Sequence, residues 1–227
     1  MQIQILHQAP PTPVLLHALD LIGCSVFAIS GALAAGRKQL DLIGVVVLGL
    51  VTAVGGGTIR DVLLDRNPIF WLADPMYVIV IVASALATVA YAHWRHPSAK
   101  ALLYADAVGL AMFSITGAQI AERAGLPAIA GIVLGTVTGS AGGAVRDVLS
   151  AEIPLVLRRG NLYATAAILG TSVYFALTAL GAPRVAATWA GMLVIGAARL
   201  ASIAFQLQLP VFALEGDGVP ARRDRTS

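Results

Sequence analysis

Long apolar stretches separated by short polar segments fill most of this chain of 227 residues. A helix needs about 20 mainly apolar residues to cross a bilayer, and seven stretches of this kind are bounded by charges and loop-forming residues. The pattern therefore predicts an all-α integral membrane protein with seven transmembrane helices, spans 1 to 7. We place them at 13–35, 39–64, 75–94, 101–121, 126–150, 161–181 and 184–207.

The first half of the chain is repeated in the second half. A shift of 86 residues aligns 20–77 with 106–163 without a gap, and about 40% of the paired positions are identical. Each repeat holds three predicted spans, so the second repeat enters the membrane from the opposite side, which predicts a pseudo-two-fold axis in the membrane plane. Inverted repeats of this kind are typical of transport proteins. Gene duplication in a purely structural membrane protein is the alternative.

The repeat divides the chain into five parts. We predict a short extracytoplasmic segment at 1–12, repeat 1 at 13–95, repeat 2 at 100–181, span 7 at 184–207 and a charged cytoplasmic tail at 208–227. Basic residues are concentrated on one face of the membrane, which by the positive-inside rule places the N-terminus outside and the C-terminus in the cytoplasm. The cytoplasmic face has Arg37, Lys38, Arg95, Lys100, Arg158, Arg159, Arg222, Arg223 and Arg225, and the outer face has Arg66, Arg123 and Arg184.

The amino-acid composition agrees with a protein that is embedded in a membrane. The chain is 58% hydrophobic and 12% charged, and its 23 glycines suit close helix packing. The net charge of +3 comes from basic residues in short connecting segments, so we interpret it as a topology signal and expect no nucleic-acid partner. Cys24 is the single cysteine, and the four histidines form no metal-binding pattern. We expect no metal site and no cofactor.

A glycine-rich motif followed by Arg-Asp occurs once in each repeat, in spans 2 and 5. Adjacent glycines allow a kink or a break, which frees backbone groups and is typical of a polar path through the membrane. The alternative is that these glycines only allow close helix packing. The motif glycines are Gly55, Gly56, Gly57, Gly142 and Gly143.

Charged residues inside the spans are costly in hydrocarbon and therefore need partners. Asp20 and Arg60 lie at similar depth in spans 1 and 2, and Asp106 and Arg146 are their equivalents in repeat 2. We predict two symmetry-related ion pairs, Asp20 with Arg60 and Asp106 with Arg146. Asp61 and Asp147 are competing partners, and snorkelling of the arginines toward the helix ends is the alternative.

Hydroxyl side chains also occupy equivalent depths in the two repeats. They could line a wet path or bond to the preceding turn of their own helix, which is the commoner arrangement. Arg199 in span 7 has no equivalent in the repeat, and a gate, a lipid contact and a structural ion pair all remain open for it. The hydroxyl candidates are Ser30, Thr52, Thr58, Thr116, Thr138 and Ser140.

These residues resemble the trimeric intracellular cation channel family in its prokaryotic branch, whose repeat unit also carries a glycine-transporter label. The resemblance covers about residues 13–207 and depends on the doubled motif at 55–61 and 142–147, with Asp20 and Asp106 opening the repeats. It implies a seven-helix protomer in a homotrimer, in a bacterial or archaeal plasma membrane. Ala141 replaces the first motif glycine in repeat 2, so the kink there is expected to be shallower.

The resemblance also implies a function. It predicts an hourglass pore inside each protomer between glycine-kinked spans 2 and 5, permeable to potassium and sodium, with the basic residues after the glycines lining the narrow region. A secondary transporter of glycine or another small neutral amino acid would use the same residues and is the alternative. Membrane lipid and permeant cations are the expected partners. An enzyme is not expected, since the chain has no nucleophile with a base, metal-binding pair or phosphate loop.

Overall fold

The computed structural model describes residues 14–158 and 162–207, and these form eight α-helices and no β-strand. Spans 1 to 7 of the sequence prediction correspond to α1, α2, α4, α5, α6, α7 and α8. The predicted segments 1–12 and 208–227 lie outside the described residues. The helices are α1 (Val14–Arg37), α2 (Leu42–Leu63), α3 (Phe70–Ala73), α4 (Met76–Trp94), α5 (Ala101–Arg123), α6 (Ala128–Leu149), α7 (Ala164–Ala179) and α8 (Arg184–Phe205).

Six of these helices are long and apolar enough to cross a bilayer, and α7 is a shorter apolar helix of 16 residues. At 1.5 Å per residue α7 extends over about 24 Å, whereas the hydrocarbon core is about 30 Å thick. The predicted range 161–181 is too long at its C-terminal end, because Gly181 adopts a φ of +82° that ends the helix. The four-residue helix α3 was not predicted.

The ends of the helices follow from local sequence. Asp41 caps α2 by accepting a hydrogen bond from the backbone N–H of Gly44 at 2.7 Å. Pro127 and Pro183 immediately precede α6 and α8, where the absent N–H costs nothing. Gly125, with a φ of +77°, ends α5. Helix α1 packs against α2, α5 against α6, α6 against α7 and α7 against α8, whereas α4 and α5 do not contact each other.

Helices α1 and α5 form the centre of the molecule. In the most apolar 18 residues of each helix, 61% of α1 and 67% of α5 are buried, compared with 22% of α4. Helix α1 packs against α2, α4 and α5, and α5 packs against α6 and α8 as well. Large apolar side chains on the outside, such as Ile79 and Leu86 on α4, are exposed and suit contact with lipid.

The two repeats meet through matching contacts. The rings of Phe27 and Phe113, which are equivalent under the 86-residue shift, stack with centroids 5.3 Å apart and planes within 8°. Gly23 faces the ring of Phe113, and its equivalent Gly109 faces the ring of Phe27. Such reciprocal contacts are expected where two copies of one unit pack about a two-fold axis.

Candidate functional site at the doubled glycine-arginine motif

Helices α2 and α6 cross at the motif glycines. A Cβ atom on Gly56 would overlap the carbonyl oxygen of Thr138, and a Cβ atom on Gly142 would overlap the carbonyl oxygen of Thr52. These two contacts are equivalent under the repeat. Because residue numbers rise along α2 as they fall along α6, the two helices are antiparallel. Only glycine allows this approach of backbone to backbone, so the two sites require it.

The glycines do not interrupt their helices. Helix α2 is continuous over Leu42–Leu63 and α6 over Ala128–Leu149, so the helix break considered from the sequence is absent. Gly55 also belongs to the contact, since a Cβ there would lie 3.4 Å from the Cα of Gly142. The packing alternative is therefore the one observed, because the facing backbone fills the space beside each glycine. A kink that keeps the helix intact stays a prediction.

The last glycine of each motif makes room for a different group. A Cβ atom on Gly57 would overlap the ring of Phe70 in α3. On Gly143 it would lie 2.9 Å from Asp106 Oδ1 and 3.0 Å from the hydroxyl of Tyr163. Glycine at this position therefore leaves space for aromatic and charged side chains packed beside the motif.

Arg146 is the centre of a buried charged cluster in the second repeat. Its Nη1 lies 2.8 Å from Asp106 Oδ1, which is the ion pair predicted from the sequence, and also donates to the hydroxyl of Ser30 on α1. Its Nε and Nη2 donate to Asp147 Oδ1 at 2.9 and 2.8 Å. Arg146 is fully buried, so it does not snorkel. Two carboxylates and a hydroxyl from three helices hold it in place.

The first repeat departs from this arrangement. Arg60 Nε donates to Asp61 Oδ1 at 2.8 Å, and Arg66 Nη1 lies 3.2 Å from the same oxygen. Among the described residues no Asp20 oxygen lies within 4.0 Å of an Arg60 nitrogen, so the predicted Asp20–Arg60 pair is wrong and its competitor Asp61 forms instead. The guanidinium of Arg60 packs over the ring of Phe70 at 5.3 Å, which holds it beside Asp61.

The two motif aspartates also fix the segments that follow their helices. Asp61 Oδ2 accepts a hydrogen bond from the backbone N–H of Phe70 at 3.0 Å. Asp147 Oδ2 accepts one from the backbone N–H of Leu155 at 2.8 Å. Each carboxylate therefore binds an arginine with one oxygen and the following loop with the other, which couples the charged cluster to the end of its helix.

Most of the hydroxyl candidates bond within their own helices. Four of them donate to the carbonyl oxygen four residues earlier, at distances between 2.6 and 2.8 Å. Ser30 differs because it contacts Arg146 of the other repeat. Thr116, its equivalent, lies 3.5 Å from the carbonyl oxygen of Phe113 and faces Asp20. The four that bond locally are Thr52, Thr58, Thr138 and Ser140.

Arg199 and Tyr163 belong to the second cluster and were not assigned to it from the sequence. Arg199 Nη2 lies 4.0 Å from Asp106 Oδ2, and its guanidinium packs over the ring of Tyr163 at 4.6 Å. Of the three roles left open for Arg199, the geometry is that of a buried ion pair. Tyr163 and its equivalent Tyr77 are identical and close the repeat alignment, a signal that could have found them.

A cavity of about 160 Å³ reaches the second cluster from the face rich in basic residues. Its lining includes the buried Asp147 and the more exposed side chains of Lys38, Glu152 and Arg158. Lys38 Nζ lies 2.6 Å from Glu152 Oε1, and Arg158 Nη2 lies 3.3 Å from Glu152 Oε2. The hydrogen bond and charge of Lys38 hold the pKa of Glu152 below its ordinary value. Glu152 therefore lines the cavity as an ionised carboxylate between the positively charged side chains of Lys38 and Arg158.

The fold with this site has solved relatives. A trimeric intracellular cation (TRIC) channel orthologue from Rhodobacter sphaeroides superimposes with a TM-score of 0.82 and 42% identity, covering 86% of this chain and 100% of that chain. A structure described as the basis for conductance through TRIC cation channels gives 0.79 and 37%, covering 89% and 99%. This chain is therefore an all-helical membrane protein with a TRIC-like fold.

Sequence relatives define the family more narrowly. The family model described as "Glycine transporter" matches residues 17–93 and 103–179, two stretches offset by the 86 residues of the internal repeat. The UPF0126 inner membrane protein YadS of Escherichia coli K12 is 43% identical over 207 residues, covering 90% of this chain and 100% of that protein. The chain belongs to the UPF0126 family, which the "Glycine transporter" model describes and which consists of membrane proteins and not of enzymes.

Proposed function

We propose that this protein is a channel for monovalent cations, potassium and also sodium, with a pore inside each protomer between α2 and α6. The observation that carries the proposal is the antiparallel glycine crossing, with a buried arginine-aspartate cluster beyond it on each helix. Two charged regions separated by a narrow backbone contact suit an hourglass path with one constriction. The structural relatives described as cation channels support the same function.

The aspartates make an arginine compatible with a cation path. An unpaired guanidinium near the constriction would repel a cation strongly in this low-dielectric setting. Arg146 lies between Asp106 and Asp147, and Arg60 is paired with Asp61. A cation that approaches either arginine therefore meets carboxylates at similar distance. Breaking one pair would change both local charge and helix position, which suits Arg60 and Arg146 as gating residues.

The crossing itself is the constriction of this proposed pore. In the present conformation the backbones of α2 and α6 touch at Gly56 and Gly142, which leaves no room for a hydrated ion. Opening requires the two helices to separate or bend at these glycines, where no side chain resists the movement. The absence of interlocking side chains makes such a movement inexpensive.

Contacts between connecting segments support an inverted topology, and the distribution of basic residues orients it with the N-terminus outside and the C-terminus in the cytoplasm. Lys38 after α1 pairs with Glu152 after α6, and both positions are cytoplasmic in this topology. On the opposite face, Glu122 at the end of α5 pairs with Arg184 at the start of α8 at 3.1 Å. Seven crossings, including the short α7, place each of these pairs on one side of the membrane.

The bacterial plasma membrane is the proposed location and a homotrimer is the proposed assembly. The E. coli relative is named as an inner membrane protein, and the R. sphaeroides structural relative is named as trimeric. Exposed apolar side chains on α4 and α6 supply surfaces for lipid or for a neighbouring protomer. The proposed pore needs no second protomer, because both charged clusters come from one chain.

Secondary transport of glycine or another small neutral amino acid is the second candidate. The description of the matching family model favours it. A buried guanidinium such as that of Arg60, one nitrogen of which has no hydrogen-bond partner in the part of the chain that the structure describes, could bind the carboxylate of an amino acid. A carrier saturates and shows counterflow, whereas a channel conducts without either.

Planar-bilayer recording of the purified protein in asymmetric potassium chloride tests the proposal. We expect single-channel steps that reverse near the potassium equilibrium potential and change in Arg146→Ala, which removes the partner of two carboxylates. Arg184→Ala is the matched control, since that side chain is 74% exposed, and it should leave the current unchanged. Silent bilayers together with saturable glycine uptake and counterflow in vesicles would show the carrier instead.

A further inference from the structure

The two repeats bury unequal charge. The cluster of the first repeat has one buried arginine, Arg60, and two buried aspartates, Asp20 and Asp61. The cluster of the second repeat has two buried arginines, Arg146 and Arg199, for the two aspartates equivalent to those of the first. With all groups ionised, the first cluster therefore has one negative charge in excess and the second has none.

Arg66 follows the first motif and adds a partly exposed positive charge to its cluster, since its side chain is 22% exposed and contacts Asp61 and not Asp20. Its equivalent in the second repeat is Glu152, which pairs with Lys38 and Arg158 at the surface. Asp20 is therefore the aspartate of the first cluster that has no ion-pair partner within 4.0 Å among the described residues.

Asp20 is a buried carboxylate with free coordinating capacity. It is 3% exposed, and its Oδ1 has no hydrogen-bond partner in the described part of the chain. Arg60 commits its Nε to Asp61, and its Nη2 has no hydrogen-bond partner among the described residues. The hydroxyl of Thr116 on α5 faces Asp20 from the other repeat. A buried carboxylate in this state needs a proton or a cation.

Asp106, the equivalent position in the second repeat, has two arginines within 4.0 Å, although its Oδ2 has no hydrogen-bond partner among the described residues. Its Oδ1 binds Arg146 at 2.8 Å, and Arg199 Nη2 lies 4.0 Å from its Oδ2. Arg199 stacks on Tyr163, whereas the equivalent Tyr77 packs against His17, with ring centroids 5.5 Å apart. Asp106 therefore has the guanidinium groups of Arg146 and of Arg199 from α8 within 4.0 Å, whereas Asp20 has no arginine within that distance among the described residues.

We propose that Asp20 and Thr116 form a binding site for a monovalent cation, and that Arg199 takes the place of that cation at Asp106. One carboxylate and one hydroxyl supply oxygen ligands and a single negative charge, which suits potassium or sodium and not a divalent ion. The inference depends on the proposed function only for naming the permeant cation as ligand. The two halves of the pore then differ. Asp20 binds an exchangeable cation, whereas Asp106 lies beside the guanidinium of Arg199, which belongs to the chain itself.

Thermal unfolding of the purified protein in detergent tests the site without any conduction. Potassium or sodium chloride is compared with N-methyl-D-glucamine chloride at equal ionic strength and constant pH. We expect the small cation to raise the unfolding midpoint by about 3 °C in the wild type and in Asp106→Asn, and not in Asp20→Asn. An equal rise in Asp20→Asn, or no rise in the wild type, would overturn the site and favour a bound proton.

Two further variants keep the test informative if Asp20→Asn does not fold. Thr116→Val retains the carboxylate and removes the second ligand, so the cation concentration for half of the shift should rise at least about threefold. Arg199→Gln should gain a second cation-dependent shift, and adding Asp106→Asn should remove it. An unchanged dependence in both variants would contradict the proposal. A protein that is silent in bilayers but shows these shifts would refute the channel and leave the site intact.

Discussion

Arg146 shows how single residues hold a full charge inside this molecule. Its guanidinium contacts Asp106, Asp147 and Ser30, which come from α5, α6 and α1, so three helices are fixed around one buried cation. Removing one partner of such a group leaves a charge that water cannot reach, which usually costs more than the contact contributes. A polar contact to a buried charge at this site is therefore expected to contribute more to the free energy of unfolding than a polar contact between neutral groups.

Alanine substitution of two serines separates a contact to a buried charge from a contact within one helix, because it removes the same hydroxyl group in both. Ser30→Ala removes an acceptor from buried Arg146 and should lower the free energy of unfolding by about 2 kcal/mol. Ser140→Ala removes a hydroxyl that bonds to its own helix and should change it by less than about 0.5 kcal/mol. Equilibrium unfolding in detergent measures both. Equal losses in the two variants would mean that Ser30 does not stabilise Arg146.

The charged residues also show what the sequence could and could not predict. Repeat equivalence and depth along the helix identified Asp106 and Arg146 as partners, and the structure has that pair. The same reasoning failed for Asp20 and Arg60, because depth does not determine toward which neighbour a side chain rotates. Phe70 of α3 turns Arg60 toward Asp61, and a four-residue helix has no detectable period in the sequence.

At the scale of helices, glycine determines how closely elements approach and polar pairs determine which ends lie together. The crossing of α2 and α6 depends on Gly56 and Gly142, where any side chain would meet a backbone carbonyl. Long apolar stretches predicted the six helices that are long and apolar enough to cross a bilayer, together with the shorter apolar helix α7. Whether a glycine bends a helix or packs it depends on what faces the glycine, which one sequence does not contain.

Cysteine labelling tests the arrangement of the helices across the membrane. In a Cys24→Ser background, Arg184→Cys should react with a membrane-impermeant maleimide in intact cells, because it begins α8 on the proposed outer face. Glu152→Cys lies on the proposed cytoplasmic face and should react only after permeabilisation. Both side chains are exposed, so accessibility within the fold does not limit the reaction. Labelling of both from one side would contradict the inverted topology.

At the scale of the whole molecule, the repeats form one unit through contacts that occur in equivalent pairs. Phe27 stacks on Phe113, and Gly56 and Gly142 each face a threonine carbonyl of the other repeat. The departures from symmetry are concentrated in charge: Glu152 of the second repeat replaces Arg66, and Arg199 of α8, which lies outside both repeats, joins only the second cluster. A shared scaffold with unequal charge suits a path whose two mouths behave differently.

Single-channel recording of two alanine variants tests most directly whether ions pass between α2 and α6. Gly56→Ala inserts a methyl group against the Thr138 carbonyl, so it must move the helices and should change open probability or conductance at least about threefold. Gly196→Ala on α8 is the control, because a Cβ atom there meets none of the described residues within 4 Å. The account predicts altered currents in the first variant and wild-type currents in the second. Identical currents in both folded variants would place the ion path elsewhere.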